Sequence, residues 1–520
     1  MPTNFYVFKY ATYPLISFKT KIKTMRKFTF LMILALFSFS CSKRTAVDPP
    51  SPESPPATVK ATLANNGALD DTNIKYFGRW DFSNPAQYVS YWGGAYFRVR
   101  FTGTSVKVKL GNTSNYYAKI DNGPWVSFLN VGGTVNLTPS LLANGTHTLS
   151  LAQGKDYNYV FNFQGLVLDA GASTSAPPVS TNLIEYIGDS ITAGYTDPQA
   201  NVSDYAWVCS EALNCEHTQI AYPGINLSNG FTGTGMQTQY LKSQSLAYPS
   251  SPNWNFAVYT PKVVVINLGT NDTNNGVPDA TFQTNYIDFL ATVRSKFANA
   301  EIFVLRTFSG TKASATANAV LVRNQAGDKK VHYINTGGWL TAGSADYTDG
   351  THPSVSGHIK VANLLKPILA PYVGGVQAIA NGTYKIVSRS SGLAVDAKDK
   401  LTANGTSIQQ WTYINGTNQQ WTVSSLGNGQ YKIVGVQSSR SLSVTGQAIA
   451  DGTNLSLYDY QGTDNQKWIV MPTSGGYYTI KSVQSGKLME VKGNSPTAGA
   501  LIDIYPNNGG NNQQWAFQTP

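Results

Sequence analysis

The triplet Gln-x-Trp returns every 47 residues in the last third of the chain, as Gln419-Gln-Trp421, Gln466-Lys-Trp468 and Gln513-Gln-Trp515. The same interval separates Tyr384, Tyr431 and Tyr478, then Trp411, Tyr458 and Tyr505, then Gly405, Gly452 and Gly499. So strict a period means three copies of one β unit, none of which can bury its apolar face alone. The copies are therefore expected to close around a threefold axis, making residues 377–520 a module of their own.

A chain of 520 residues is too long for one core, so further domains must precede the repeat. Residues 62–172 alternate polar and apolar without helical periodicity, as in Tyr96-Phe-Arg-Val-Arg-Phe101 and Ser105-Val-Lys-Val-Lys-Leu110. Short strands separated by Gly and Asn turns predict a β-sandwich, jelly-roll-like, whose role is either packing or sugar contact. Residues 173–181, with Ser-Ala-Pro-Pro inside, read as a linker. From 182 to 374 the period changes. Strand-like runs at 183–187, 218–221, 263–268, 302–305 and 331–334 alternate with helical patterns, of which Phe282, Tyr286, Phe289, Leu290, Val293 and Phe297 form the clearest. That alternation predicts a doubly wound α/β domain with a parallel sheet, whose reactive groups gather at the carboxyl ends of its strands.

The formal charge of +10 suggests a nucleic-acid partner, but its distribution excludes one. Residues 1–44 hold eight basic side chains and no acid, which leaves +2 for everything that follows. Within that leader, Met25-Arg-Lys27 is a basic start, Phe28 to Phe39 is an apolar run too short to span a bilayer, and Ser40-Cys41 follows. Residues 25–41 are thus expected to be an export signal. Residues 1–24 fit neither role and suggest that Met25 is the true start. Residues 42–61, rich in Pro and Ser, read as a stiff tether. Of the remaining cysteines, Cys209 and Cys215 could pair in an oxidising compartment, although Cys209 falls on an apolar helical face and also reads as a buried small hydrophobe.

Four strand ends of the α/β domain carry polar or glycine-rich signals: Gly188-Asp-Ser190, Ala221-Tyr-Pro-Gly-Ile-Asn226, Asn267-Leu-Gly-Thr-Asn-Asp272 and Asp349-Gly-Thr-His-Pro353. Ser190 is a poor nucleophile unless a base takes its proton, and an imidazole suits that task at neutral pH. Of five histidines, His147 lies in the first domain, His217 and His332 lie at or in buried strands, and His358 lies inside an apolar-faced helix. His352 remains, with Asp349 near enough to orient its ring. The amides of Ser190 and Gly224 and the side chain of Asn271 could stabilise an oxyanion. Each signal has a plainer reading, as an Asx turn at 189–190, a turn glycine at 224 or a helix cap at 271–272. Their convergence on one sheet favours acyl transfer.

In order and spacing these blocks resemble the SGNH (GDSL-type) hydrolases. With Gly78-Arg-Trp-Asp81 in a β-domain ahead of them, residues 62–374 resemble carbohydrate esterase family 2. The resemblance implies deacetylation of acetylated plant polysaccharide, xylan or glucomannan, by serine chemistry with no metal and no cofactor. Some members of that family dispense with the acid of the triad. After Asn271-Asp272, where the family often carries an aromatic, this chain has Thr273-Asn-Asn. The threefold repeat resembles the ricin-type β-trefoil lectin domain, which implies a carbohydrate ligand. A carboxylate can accept hydrogen bonds from sugar hydroxyls while an aromatic face packs on the ring. Asp396, Trp411 and Asn418 form the best such set, Glu490 and Tyr505 a second, while Ser443 replaces the acid in the middle repeat. Cys41 resembles the lipid-accepting cysteine of a bacterial lipoprotein, so the expected location is the cell surface or periplasm, with no membrane contact beyond that anchor; an ordinary signal peptide cut nearby, and hence secretion, is the alternative. Two alternatives stay open: a lipase or aryl esterase of the same hydrolase type, and a non-catalytic carbohydrate-binding surface protein.

Overall fold

The computed structural model describes residues 65–154, 160–248, 250–374 and 378–520. The expected export signal, Cys41 and the expected Pro/Ser tether lie outside them. No helix among the described residues is long and apolar enough to cross a membrane.

Nine strands of the N-terminal domain join in one hydrogen-bonded network. Its hub is the strand Val106–Ile120, whose first half pairs with Phe161–Leu168 and whose second half pairs with Gly145–Gln153. Register shifts along this strand let it bend between the two partners. Alternation decides which face is buried: Val106, Val108 and Leu110 join Phe97, Val99, Phe101, Phe161 and Phe163 in one core, while Lys107 and Lys109 point to solvent. The expected linker begins later than its composition suggested. Thr174–Ser175 is a short strand paired with Arg100 and Phe101, so the β-domain extends through Ser175.

The central domain is a five-stranded parallel sheet: β1 (Leu183–Gly188), β2 (Glu216–Ala221), β3 (Val263–Asn267), β4 (Glu301–Leu305) and β5 (Val331–Ile334), in the spatial order β2-β1-β3-β4-β5. β3 is apolar from Val263 to Ile266 because helices cover both faces. Val264 and Ile266 face α3 (Asp279–Lys296) through Phe282, Tyr286, Phe289, Leu290 and Val293. Val263 and Val265 face the other way, towards α1 (Tyr205–Ala212) and α5 (Val355–Val373). Phe297 caps α3 rather than belonging to it, and still completes the first of these cores. Two further helices, α2 (Thr270–Asn274) and α4 (Ala313–Gln325), follow β3 and β4. Cys209 and Cys215 are buried free thiols, so the small-hydrophobe reading holds and the pairing does not occur.

The C-terminal module has twelve strands. Its threefold repeat is explicit in the register, where Tyr384 pairs with Trp421, Tyr431 with Trp468 and Tyr478 with Trp515. The three indoles are fully buried, and each donates its N–H to a carbonyl 26 residues back, of Val395, Leu442 and Met489, at 3.0 Å. The repeated Trp is therefore core, with its one polar atom satisfied.

The modules do not hang on flexible joints. Ile469, Met471 and Val483 of the trefoil enter the same apolar core as Ile368, Leu369 and Val373 of α5. Beside them, the fully buried Lys481 Nζ lies 2.9 Å from His332 Nδ1, whose Nε2 is 2.7 Å from Glu301. Burial pushes the Lys481 amine down to about 7 and the His332 imidazole down to about 4. On the other side, Arg79 of the β-domain is buried, donates to the carbonyls of Tyr240 and Lys242, and is walled by the rings of Trp92, Tyr240, Trp254 and Phe256. Tyr96 and Arg98 both reach Glu216 on β2. The Gly78-Arg-Trp-Asp81 motif thus fastens the β-domain to the α/β domain.

Candidate active site

Three of the polar strand ends meet where β1, β2 and β3 finish side by side, Gly188 pairing with Ala221 and Asn267. Ser190 follows β1 in a tight turn and is 7% exposed. The fourth signal arrives on the long loop between β5 and α5. There the side chain of Asp349 accepts from the backbone N–H of Thr351 and of His352, which winds the loop so that the imidazole returns towards the sheet. His352 Nε2 lies 2.9 Å from Ser190 Oγ, and His352 Nδ1 lies 2.7 Å from Asp349 Oδ2. Although partial desolvation works against it, the N–H groups of His352 hold the Asp349 carboxyl below its usual range. With Asp349 ionised, Nδ1 carries the proton and Nε2 is left to accept one.

The other predicted residues surround the same point. Gly224 follows β2 at φ +83°, a conformation that favours glycine, and is exposed. Asn271 opens α2 and donates one side-chain N–H to the carbonyl of Ile225 at 3.1 Å. One N–H of that amide remains directed elsewhere. Asp272, which sequence reasoning weighed only as a helix cap, does something different: fully buried, it accepts from the amides of Leu227 and Ser228 at 2.8 and 3.0 Å. It pins the loop that carries Gly224 to the helix that carries Asn271. A second residue missed from sequence is Tyr195, whose ring stands 4.9 Å from that of His352 and is 38% exposed. Its position five residues after Ser190 was the available signal. Behind the nucleophile, burial raises the Asp189 carboxyl to about 7, and its Oδ1 accepts from the amide of Ile191.

His147, set aside on sequence grounds, pairs with Asp121 far from this site, and His217 and His358 are buried imidazoles pushed down to about 3. Among the described residues no group of His, Cys, Asp and Glu is disposed to hold a metal ion.

On the trefoil, Trp411, Tyr458 and Tyr505 are exposed aromatics at equivalent positions of the three repeats, 42, 44 and 42% accessible. Asp396 lies beside Trp411 and accepts from Gln409 and Asn418 at 3.0 and 2.7 Å, which orients one carboxylate edge. Glu490 accepts likewise from Asn512 and Gln513 beside Tyr505. Burial raises both carboxyls. In the middle repeat Ser443 Oγ takes the place of the acid and accepts from Gln466.

A serine, histidine and aspartate in relay at the carboxyl edge of a doubly wound sheet define a serine hydrolase domain of the SGNH type. Family models agree: a GDSL-like lipase/acylhydrolase over residues 186–359, a carbohydrate esterase 2 N-terminal domain over 76–178, and a ricin-type β-trefoil lectin domain over 375–458 and 464–520. The chain is 32% identical over 325 residues to the cellulase/esterase CelE of Acetivibrio thermocellus, covering 57% of this chain and 39% of that protein. It is 26% identical over 319 residues to an acetylxylan esterase/glucomannan deacetylase of Cellvibrio japonicus, covering 54% of this chain and 85% of that one. Among solved structures, a family two carbohydrate esterase from Clostridium thermocellum in complex with cellohexaose matches at 29% identity and a TM-score of 0.53, over 58% of this chain and all of that one. Over residues 76–359 the chain thus matches the carbohydrate esterase 2 N-terminal and GDSL-like models and is similar to family two carbohydrate esterases, and a ricin-type lectin match follows.

Proposed function

We propose that the protein is an exported esterase that removes O-acetyl groups from a plant polysaccharide of the acetylxylan or acetylglucomannan type, and that its trefoil holds the enzyme on the glycan. The relay Asp349–His352–Ser190 carries this reading. Ser190 Oγ attacks the acetyl carbonyl as His352 Nε2 takes its proton. The same imidazole, now positively charged beside Asp349, returns that proton to the departing sugar oxygen, and water repeats the cycle on the acetyl-enzyme. The amides of Ser190 and Gly224 and the Asn271 side chain are the donors for the oxyanion. The names of the relatives support an acetylated polysaccharide as substrate. The exposed aromatics flanked by held carboxylates support glycan binding by the trefoil.

The basic start at Met25, the apolar run and Cys41 support export with lipid attachment at the cell surface or in the periplasm. Acetate release from acetylated xylan and acetylated glucomannan, compared between the intact protein and Ser190→Ala, tests the reading. Release that survives the substitution would sink it.

A further inference from the structure

One cavity lies neither at Ser190 nor at a lectin aromatic. It holds about 370 Å³ and is walled on one side by the segment Asn335 to Trp339, directly after β5, and on the other by the trefoil around Arg389, Thr473, Asn511 and Gln514. Its polar wall is built. Gln514 Oε1 accepts from Arg389 Nη1 at 2.6 Å and from Thr473 Oγ1 at 3.2 Å, and the Arg389 guanidinium rests on the Tyr477 ring at 4.6 Å. Across the cleft, Asn335 accepts from the amide of Gly337 and approaches Gly509 so closely that a Cβ there would lie 2.7 Å from Asn335 Nδ2. Gly509, at φ +75°, lets the two domains touch at that point.

Two features indicate what this cavity takes. Its lining contains carboxamides, hydroxyls, one guanidinium and aromatic edges but no carboxylate and no lysine, which suits a neutral ligand rich in hydroxyls that both donate and accept. Its position continues a glycan path. Asn507, Gly509 and Asn511 line the cavity, whereas Asn508 and Asn512 line the pocket of Glu490 and Tyr505, and Gly510 borders both. The two sites stand back to back across one Asn/Gly loop. Moreover, β5 runs parallel to β1, so the segment Asn335 to Trp339 that walls the cavity leaves the sheet at the same edge as Ser190.

We infer that the cavity between the α/β domain and the trefoil is an additional oligosaccharide-binding site, taking a neutral glycan segment that runs from the Glu490–Tyr505 pocket over Gly510 towards the catalytic edge. The inference rests on the proposed reading of the protein as a carbohydrate esterase. The test titrates the full-length Ser190→Ala protein with xylohexaose and with mannohexaose by calorimetry. Two variants in that background are compared, Asn335→Ala with Asn511→Ala, and Thr473→Trp, which fills the cavity. Each is expected to weaken hexasaccharide binding by about tenfold, the consequence of a few lost hydrogen bonds or of blocked space, while the unfolding midpoint stays at that of the parent.

The same substitutions in the protein with Ser190 intact should leave turnover of a small aryl acetate unchanged. Hexasaccharide affinity equal to the parent's in both variants overturns the site. If one variant unfolds, the other decides. Failure of the protein with Ser190 intact to hydrolyse the aryl acetate would count against the esterase reading alone, because the calorimetric result does not depend on it.

Discussion

Asn271 and Ile225 are joined by a hydrogen bond of 3.1 Å from the side-chain amide of one to the backbone carbonyl of the other. The bond uses one amide hydrogen and fixes the plane of the carboxamide, so the second hydrogen is aimed without rotational freedom. An oxyanion donor works best when its orientation is set before the reaction begins. Asn271→Ala is therefore expected to lower kcat by roughly a hundredfold or more, with KM for an aryl acetate little changed. Steady-state kinetics of the two proteins reads the split. A rise in KM alone would remove Asn271 from the oxyanion site.

Asp272 acts one step back, through the amides of Leu227 and Ser228. Asp272→Asn keeps the size but weakens two charge-assisted bonds, so the Gly224 loop and the Asn271 helix lose their common anchor. The expected loss in kcat is about tenfold, smaller than for Asn271 itself, since the donors survive and only their placement loosens. Equal losses for the two variants would mean that Asp272 has a more direct part.

Asp349 poses a question that the family resemblance leaves open, since some relatives dispense with the acid. Here the carboxylate takes three N–H groups from its own loop, including the ring N–H of His352. Asp349→Asn can present its amide to Nδ1 and favour the wrong tautomer; in a buried triad that change costs about 10⁴ in kcat. The Asp349 side chain is 45% exposed, so water can substitute in part, and the expected loss is about a hundredfold. Its carboxyl sits below the usual range when folded, so ring orientation should persist at higher pH and fail only as pH falls through that lowered value. Activity below about pH 4 in the wild type, normalised to the Asp349→Ala variant, measures this.

Lys481 is expected to contribute to the pH dependence of stability above neutrality. Burial pushes its amine down to about 7 in the folded protein against the ordinary 10.5, so the unfolded chain binds more protons between those limits. Stability should therefore rise with pH across that window, and the contribution is lost as pH falls towards 7. Glu301 and Lys329 act on the amine in opposite directions, and His332 faces it directly. Lys481→Met should flatten the slope of the unfolding midpoint between pH 7 and pH 10. An unchanged slope would assign the dependence elsewhere.

On the trefoil, Trp411→Ala and Tyr505→Ala should each reduce binding to insoluble glycan while leaving aryl acetate turnover intact. Each removes a ring face worth roughly 1–2 kcal/mol, which corresponds to about a five- to thirtyfold change. Pull-down on insoluble xylan measures it. Removing the whole trefoil would be a poorer experiment, because Ile368, Leu369 and Val373 of α5 would lose the cover of Ile469, Met471 and Val483. The shortened chain is expected to unfold at a lower temperature, whatever its affinity for glycan.

The convergence of Ser190, His352 and Asp349 was legible because Ser190 and His352 follow buried strands into loops, where a reactive side chain has few structural excuses. The repeat was legible from Gln-x-Trp because a buried indole with one satisfied N–H recurs identically in each copy. What escaped was the docking of one domain on another, which leaves no periodic trace. Its signal lay in broken symmetry. Ile469 stands where the other repeats have Thr422 and Ala516, and Met471 where they have Ser424 and Gln518. Apolar residues in one copy alone mark the face that is covered. Asp272 escaped for a different reason: a carboxylate beside a helix start reads as a cap, and only tertiary contact reveals that it holds another loop.

The common core of α5 and the trefoil makes the distance from Trp411 and Tyr505 to Ser190 a fixed length rather than a reach. On the proposed reading, a polymer gripped at those rings meets the nucleophile at one set number of sugars from the grip. The enzyme would then act as a ruler, and acetyl groups would leave a long chain at intervals measured by the protein rather than at random.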